Sequence, residues 1–341
     1  MLSHPLRTLG RVSLNGDNRV YCSDWAASYG NPYVEAPAAA ADVEVAPVVE
    51  DDGVLRARPV PPSPGTTLVF VDGVRRLEAH LTLERTGLVT RGVTGAHGVG
   101  AVVCPPGSAP AFEACRASRY VVWEGGEAVP LPPAGGFQWR LDSLPPSATA
   151  TAEMRIQNLM RDAERELAED LTAEDRVVVL DGPLNRVRTQ GRRVLGYVKT
   201  QWRIPLDGSG RRTVATLLPG QRTSLLAPRD DVYTTYLRLP SSGHSGAWGA
   251  TIRLEIPTHV GVAQADEWAD AACALLPRYA GVAHIDPRAP QNLQPVAALE
   301  KQLRHLLGDP GLATRAVRAA VARLESAPES APAPAMAGDT R

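Results

Sequence analysis

The chain predicts a mixed α/β fold in which helices flank a β-sheet. Most of the elements predicted between residues 67 and 256 are strands, one long helical segment interrupts them, and helical segments follow. Hydrophobic residues make up 44% of the chain, which is enough for a large core. Covering a sheet with helices is the economical way to bury the apolar faces of both.

The two ends of the chain differ in composition from its middle. Residues 31–64 are rich in Ala, Pro, Val and acidic side chains, so residues 1–65 are expected to form a partly irregular N-terminal arm. Residues 326–341 form an Ala/Pro/Ser tail that we expect to be disordered. The folded domain is therefore expected to span residues 66–325.

The first strong strand signal is the apolar run at residues 67–71, which ends at Asp72 and Gly73. A second strand-like segment follows at residues 74–84. Asp-Gly is a strong short hairpin signal, so a hairpin is expected across Asp72 and Gly73. The later predicted strands are residues 87–103, 119–123, 176–180, 193–200, 213–218, 232–239 and 248–256.

Residues 149–170 have the periodicity of an amphipathic helix, with Met160 and Leu167 on its apolar stripe. Glu164 lies next to that stripe and is expected to face inward, although a solvated, ion-paired helix face would also explain it. The predicted C-terminal helices are residues 265–276, 295–307 and 312–324.

Two aspartates directly follow apolar runs that predict central strands. Asp72 follows residues 67–71 and Asp181 follows residues 176–180. Asp-Gly most often marks only a turn, but a carboxylate at a buried strand end is costly unless it is paired or bound to a metal. With Glu164 turned inward, the three acids predict a divalent-metal site. Lys199 and the arginines around residues 186–193 are candidates for binding phosphate.

Composition and motifs exclude several other classes. The formal charge of −1 neither supports nor excludes DNA binding, and the four cysteines form no C-x-x-C pair. The sequence contains no apolar run of about 18 residues and no export signal, so a cytoplasmic protein without a membrane span is expected. It contains no P-loop motif, so an ATP-driven step would need a partner.

Ser245 lies in a Gly-His-Ser-Gly-Ala segment that is similar to the nucleophile elbow of serine hydrolases. That elbow leads into a helix, whereas residues 248–256 predict a strand. A serine hydrolase is therefore the least favoured alternative.

Taken in order, the motifs resemble those of the NurA nuclease family over residues 66–324. They are Val71-Asp-Gly73, the helix with Glu164, Leu180-Asp-Gly-Pro-Leu184, Gly196-Tyr-Val-Lys199, Tyr236-Leu-Arg-Leu239, Arg253-Leu-Glu-Ile-Pro257 and the segment from Asp286 to Leu293. The resemblance implies a ribonuclease-H-like mixed sheet flanked by helices, with added strands and a helical C-terminal part. It also implies a homodimer that processes DNA ends, in double-strand-break repair, with a hexameric HerA-type translocase.

The resemblance also implies site residues and an activity. Asp72, Glu164 and Asp181 match the family's metal ligands, and Asp286 stands where a further ligand is expected, in a segment without the family's frequent histidine. Mn²⁺ or Mg²⁺ would serve a deoxyribonuclease acting as an exonuclease or single-strand endonuclease, with Lys199 at the scissile phosphate. Arg186, Arg188 and Arg222 are expected to bind the DNA backbone. An inactive DNA-binding or scaffold subunit of the same fold is the alternative.

Overall fold

One sheet of twelve strands runs through the residues that the computed structural model describes, which are 19–22, 44–63, 65–184, 192–199, 204–241, 248–286 and 288–326. The strands are β1 (Arg19–Cys22), β2 (Ala57–Arg58), β3 (Thr67–Arg85), β4 (Leu88–Cys104), β5 (Ala111–Trp123), β6 (Arg140–Ser143), β7 (Arg176–Asp181), β8 (Val194–Val198), β9 (Arg222–Thr223), β10 (Leu226–Arg229), β11 (Val232–Arg238) and β12 (Thr251–Pro257). The helices are α1 (Ala152–Asp170), α2 (Gly208–Ala215), α3 (Val262–Leu275), α4 (Gln294–Leu306) and α5 (Pro310–Glu325).

The strand order is β2-β9-β11-β12-β8-β7-β3-β4-β5-β6, with β1 beside β3 and β10 beside β11. At its centre, β3, β4 and β5 form an antiparallel meander, β7 runs parallel to β3, and β8 runs parallel to β7. This is the order of a ribonuclease-H-like sheet. The predicted mixed sheet with added strands, flanking helices and a helical C-terminal part is therefore confirmed.

The two faces of β3 pack against different helices. Val69 and Val71 lie in the core that contains Met160 and Leu167 of α1. Leu68 and Phe70, on the opposite face, lie in the larger core with side chains of α3 and α4. A central strand buried on both faces is apolar at every position, which explains the continuous run at residues 67–71.

The expected hairpin across Asp72 and Gly73 is wrong. β3 continues through both residues, and Gly73 pairs with Val99 of β4. The turn lies further on, at Thr86 and Gly87, which have φ angles of 47° and 78°. Val74, the next residue, is buried. Packing of this segment therefore favours a continuous strand over the turn that the Asp-Gly pair predicts.

The expected strand at residues 213–218 is also wrong, because most of that segment belongs to α2 and the turn after it. Asp207 caps this helix, and its carboxylate accepts a hydrogen bond from the Gly210 N–H at 2.7 Å. The Asp-Gly pair at residues 207–208 therefore marks the start of a helix. The cap stabilises this helix, although its β-branched residues Thr213 and Val214 have low helix propensity.

Parts of the predicted N-terminal arm belong to the sheet. β1 pairs with β3 and β2 pairs with β9, and Val48 forms a bridge with Leu226. The domain limits at residues 65 and 325 remain predictions. Among the helices within the described ranges, none has both the length and the hydrophobicity needed to cross a bilayer.

Candidate metal centre

Asp72 and Asp181 lie side by side on neighbouring strands. In the parallel pairing of β3 with β7, Val71 is opposite Leu180, so the next residue on each strand is an aspartate. β7 ends at Asp181 while β3 continues to Arg85. Neighbouring strands are about 4.8 Å apart, so the sheet itself places two carboxylates together where one strand stops.

A third carboxylate reaches them from α4. Oxygen atoms of Asp72, Asp181 and Glu300 all lie within 4.8 Å of one another. Glu300 is 7% exposed, and it is on the inward face of α4 with Val296 and Leu303. Glu300 is not among the acids that the sequence patterns predict for the site. The available signal was its spacing, four residues after Val296 and three before Leu303.

Glu164 approaches from α1 and lies against Gly73. A Cβ atom at Gly73 would stand only 2.5 Å from Glu164 Oε1 and 2.9 Å from Met160 Cγ. Glycine is therefore what lets the helix and its carboxylate sit this close to β3. We refer to Asp72, Glu164, Asp181 and Glu300 together as the carboxylate site.

Burial and like charge both disfavour ionisation in the carboxylate site. Burial, then the charges of Asp181 and Glu164, raise the pKa of Asp72 well above its ordinary value. Burial, followed by the charge of Asp181, raises the pKa of Glu164 to about 8. Burial also raises the pKa of Asp181, although Lys199 opposes this. A cation among these oxygens would reverse such shifts.

Lys199, directly after β8, supplies the ammonium nearest to Asp181. Its Nζ donates to Asp181 Oδ2 at 2.5 Å and to Asn292 Oδ1 at 2.9 Å. Asn292 is fully buried. The structure brings Asp72, Glu164, Asp181 and Lys199 close to one another, and their roles remain predictions.

Asp286 lies outside the group of three close carboxylates. It accepts a hydrogen bond from Asn292 Nδ2 at 2.5 Å and others from Arg288. Although burial opposes it, these bonds lower the pKa of Asp286 to about 2. The expectation that Asp286 completes the metal site is therefore corrected: its carboxylate is engaged elsewhere, and Glu300 is the acid beside Asp72 and Asp181.

Arg288 connects Asp286 to the carboxylate site. Its guanidinium pairs with Asp286 and with Glu300, at 3.3 and 3.2 Å. Arg304 also contacts Glu300 at 3.0 Å. Burial raises the pKa of Glu300, but these cations hold it below its ordinary value. Glu300 is therefore ionised and can provide oxygen ligands for a metal.

The expected DNA contact by Arg222 is wrong, because the Arg222 side chain is fully buried. Its guanidinium pairs with Glu50 and Asp270, at 3.2 and 2.6 Å, and with Asp266. A guanidinium excluded from water cannot reach a DNA backbone. We call these four residues the Arg222 cluster. Arg186, Arg188 and Ser245 lie outside the described residues.

The donor set of the carboxylate site fits a hard divalent cation. Carboxylate oxygens are the ligands that Mg²⁺ and Mn²⁺ prefer. Three oxygen atoms that lie within 4.8 Å of one another are close enough to share one ion at bond lengths of about 2.0–2.6 Å. The residues present are thus compatible with a divalent metal.

No protein-family model matches this chain, and no curated protein matches it. Among solved structures, it is similar to the crystal structure of NurA bound to dAMP and manganese, at 17% sequence identity and a TM-score of 0.18. The match covers 38% of this chain and only 22% of that chain. A similarity this weak carries no argument, so the fold assignment rests on the strand order and the function on the site.

Proposed function

We propose that this protein is a metal-dependent nuclease that hydrolyses phosphodiester bonds in DNA. The observation that carries the proposal is the meeting of Asp72, Asp181 and Glu300 within 4.8 Å, at the point where β7 ends. Glu164 adds a fourth carboxylate from the other side of β3. Four acids from two strands and two helices are costly to bury together without a cation.

The cation we propose is Mn²⁺ or Mg²⁺, held by Asp72, Asp181 and Glu300, with Glu164 next to it. When bound, such a metal neutralises phosphate charge and activates water near neutral pH. Asp72 and Asp181 are fixed by the parallel register of two central strands, so their oxygens are pre-organised for binding.

Two residues are placed to act on the substrate and on water. The ammonium group of Lys199 has three N–H donors. It donates one hydrogen bond to Asp181 and one to Asn292, so the third donor remains for an oxygen of the scissile phosphate. Glu164, whose pKa is about 8 in the absence of a cation, is suited to accept a proton from water once a cation lowers that pKa.

The wider role is part of the same proposal. We propose processing of DNA ends in double-strand-break repair, as an exonuclease or single-strand endonuclease, by a cytoplasmic homodimer working with a HerA-type hexameric translocase. The support is the ordered set of sequence motifs and the absence of a P-loop from the sequence, which leaves ATP hydrolysis to a partner.

A catalytically inactive DNA-binding or scaffold subunit is the second candidate. One observation favours it: Arg288 and Arg304 already neutralise Glu300, so they compete with a metal for this carboxylate. In that case the four acids would serve only to position charged neighbours.

The test is cleavage of end-labelled single- and double-stranded DNA by the purified protein with Mn²⁺ or Mg²⁺. Asp181→Ala is expected to lower the rate by at least about 100-fold, because even residues beyond a metal's direct ligands cost 10–100-fold. Asp231→Ala is the matched control, since its side chain is 68% exposed in a turn, and should cleave normally.

Two results would count against the proposal. If Asp181→Ala cleaves as fast as the unaltered protein, the carboxylate site is not the catalytic centre. If the unaltered protein, with and without a HerA-type partner, cleaves no DNA while still binding it, the scaffold candidate replaces the nuclease.

A further inference from the structure

Asn292 joins two charged side chains beside the carboxylate site, and the proposed chemistry gives it no part of its own. Its side-chain oxygen Oδ1 accepts a hydrogen bond from Lys199 Nζ at 2.9 Å, and its Nδ2 donates to Asp286 Oδ2 at 2.5 Å. Its backbone N–H donates to the carbonyl oxygen of Arg288 at 3.0 Å. Because Asn292 is fully buried, these bonds fix the segment that carries Asp286 and Arg288 next to Lys199.

Asp286 in turn holds Arg288. Its Oδ1 accepts hydrogen bonds from the Arg288 backbone N–H at 2.8 Å and from Nε at 3.3 Å, and its Oδ2 accepts one from Nη2 at 3.3 Å. The guanidinium also reaches Glu300, with Nη1 donating to Oε1 at 3.2 Å and Nη2 to Oε2 at 3.3 Å. These contacts close a ring that begins and ends in the carboxylate site: Asp181, Lys199, Asn292, Asp286, Arg288 and Glu300.

The two cations of this ring are held differently. Lys199 has a side chain that is 22% exposed, and it lies 2.5 Å from Asp181. The Arg288 side chain is 54% exposed, and its two bonds to Glu300 are longer than the 2.7–2.9 Å that is typical of about all charge-assisted hydrogen bonds. Arg288 is therefore the more accessible and the more weakly bound of the two cations.

Arg288 lies on the side of the sheet where the close carboxylates meet. It contacts Glu300, whose oxygens lie within 4.8 Å of those of Asp72 and Asp181, and its charge lowers the pKa of Asp181. Arg304 also contacts Glu300, but through a single bond of 3.0 Å from a side chain that is 64% exposed. Of these two arginines, Arg288 is the one that a second acid holds in place at the site.

A phosphate group can replace Glu300 as the partner of this guanidinium. Arginine binds carboxylate and phosphate oxygens with the same planar pair of N–H donors. Like charges repel, so Glu300 holds the guanidinium less firmly once the same carboxylate binds a divalent cation. Asp286 would keep Arg288 beside the site during this exchange, because it binds Nε and the backbone N–H as well as Nη2.

We propose that Arg288 exchanges Glu300 for a phosphate of the DNA strand when Glu300 binds a divalent cation. The inference rests on the proposed nuclease function and adds to it a second phosphate-binding cation beside Lys199. The contact between Arg288 and Glu300 is then the arrangement of the protein without a cation, and it does not prevent Glu300 from binding one.

The test measures the affinity for a fluorescein-labelled single-stranded DNA oligonucleotide with Ca²⁺, which also prefers oxygen ligands, and with divalent ions chelated. A gel checks that the oligonucleotide stays intact. With Ca²⁺, Arg288→Gln should weaken binding by about 10-fold, because a hydrogen-bonded charge pair is lost. It should also lower the slope of log K against log salt by about 0.7, the contribution of one phosphate contact on a single strand. With a chelator the loss should be much smaller, because Glu300 then occupies the guanidinium.

A second measurement distinguishes phosphate binding from a purely structural role. Arg288→Gln removes a competitor for Glu300, so it should not weaken Ca²⁺ binding in calorimetric titrations. If Arg288 served only to hold Glu300 in place, the variant would bind Ca²⁺ more weakly and would show no Ca²⁺-dependent loss of DNA affinity. Arg304→Gln is the matched control, because it removes the other cation that contacts Glu300, and it should keep the DNA affinity of the unaltered protein.

Phenylglyoxal modification, located by mass spectrometry, tests the exchange without a variant. Ca²⁺ alone should speed the modification of Arg288, and DNA added with Ca²⁺ should suppress it. The inference is overturned if Arg288→Gln binds DNA as tightly as the unaltered protein with Ca²⁺, if Arg304→Gln loses as much affinity, or if the unaltered protein binds no DNA. Lack of cleavage with Mn²⁺ would overturn only the nuclease function if the loss in Arg288→Gln persists.

Discussion

The Arg222 cluster and the carboxylate site each bury charge, but they balance it differently. In the Arg222 cluster, the fully buried group is a cation, and two of the three acids that contact it are partly exposed, with Asp266 32% and Asp270 20% accessible. In the carboxylate site, the most buried groups are acids, and Asp72 and Glu164 have other acids as neighbours. Lys199 contacts only Asp181 among these carboxylates.

The difference separates a structural role from a functional one. A buried ion that is surrounded by opposite charges is destabilising to break and needs no ligand. Buried like charges with raised pKa values lower stability unless something else binds, and such groups concentrate at functional sites. The same contrast explains why Arg222 is not a DNA contact although its residue type favours one.

The largest difference between the two regions should be in the free energy of unfolding when one charged side chain is replaced in each. Arg222→Ala leaves three acids around an empty space and should lower the free energy of unfolding by about 3–5 kcal/mol in urea titrations. Asp72→Asn removes a repelling charge and should not lower stability when divalent ions are chelated. Arg212→Ala, on the exposed face of α2, is the control. Equal losses for Arg222→Ala and Asp72→Asn would remove the distinction.

The pH dependence of stability should be specific to the carboxylate site. The pKa of Glu164 is about 8 in the folded protein against an ordinary 4.5, so the folded state binds the extra proton between these values. Without divalent ions, stability should therefore fall as pH rises from about 4.5 to about 8, by ~2–4 kcal/mol. Glu164→Gln should make this fall in stability smaller in urea titrations from pH 4.5 to 8.5, although Asp72 and Asp181, whose pKa values are also raised, leave part of it.

The matched control for that profile is Glu166→Gln, because the Glu166 side chain is 61% exposed on the same helix. It should keep the slope of the unaltered protein. A stability that rises between pH 5 and pH 8 would show that Glu164 is ionised in the folded protein without a metal.

The smallest expected effect distinguishes Glu300 from Asp286, the two acids of the C-terminal part that are candidate metal ligands. Mn²⁺ at about 100 times its dissociation constant should raise the free energy of unfolding by about 2.7 kcal/mol. Glu300→Gln should weaken Mn²⁺ binding and remove most of this gain, whereas Asp286→Asn should keep it, because Glu300 lies beside Asp72 and Asp181. The reverse pattern in melts with and without Mn²⁺ would make Asp286 the ligand.

Sequence patterns predicted the central strands and the three C-terminal helices because these segments are apolar with a clear period. They failed where a side chain's surroundings decide the outcome. Asp-Gly at residues 72–73 lies within β3, and Asp-Gly at residues 207–208 starts a helix. The same dipeptide supports a turn, a strand and a helix cap, so only the packing around it distinguishes them.

The site was predicted in part for similar reasons. Asp72 and Asp181 follow apolar runs, and Glu164 lies beside an apolar stripe, so burial is evident from position. Glu300 satisfies the same rule with Val296 and Leu303, but the neighbouring Lys301 and Arg304 obscure it. The burial of Arg222 depends on Glu50 and on α3, which are distant in the chain, and no local pattern reveals it.

The parallel pairing of β3 with β7 also has a consequence for how the molecule folds. Thr67 pairs with Arg176, so β4, β5, β6 and α1 lie between the two strands along the chain. Pairing between such distant segments forms slowly, whereas the meander of β3, β4 and β5 is local and can form early. We therefore expect the acids to come together only after the meander of β3, β4 and β5 has formed.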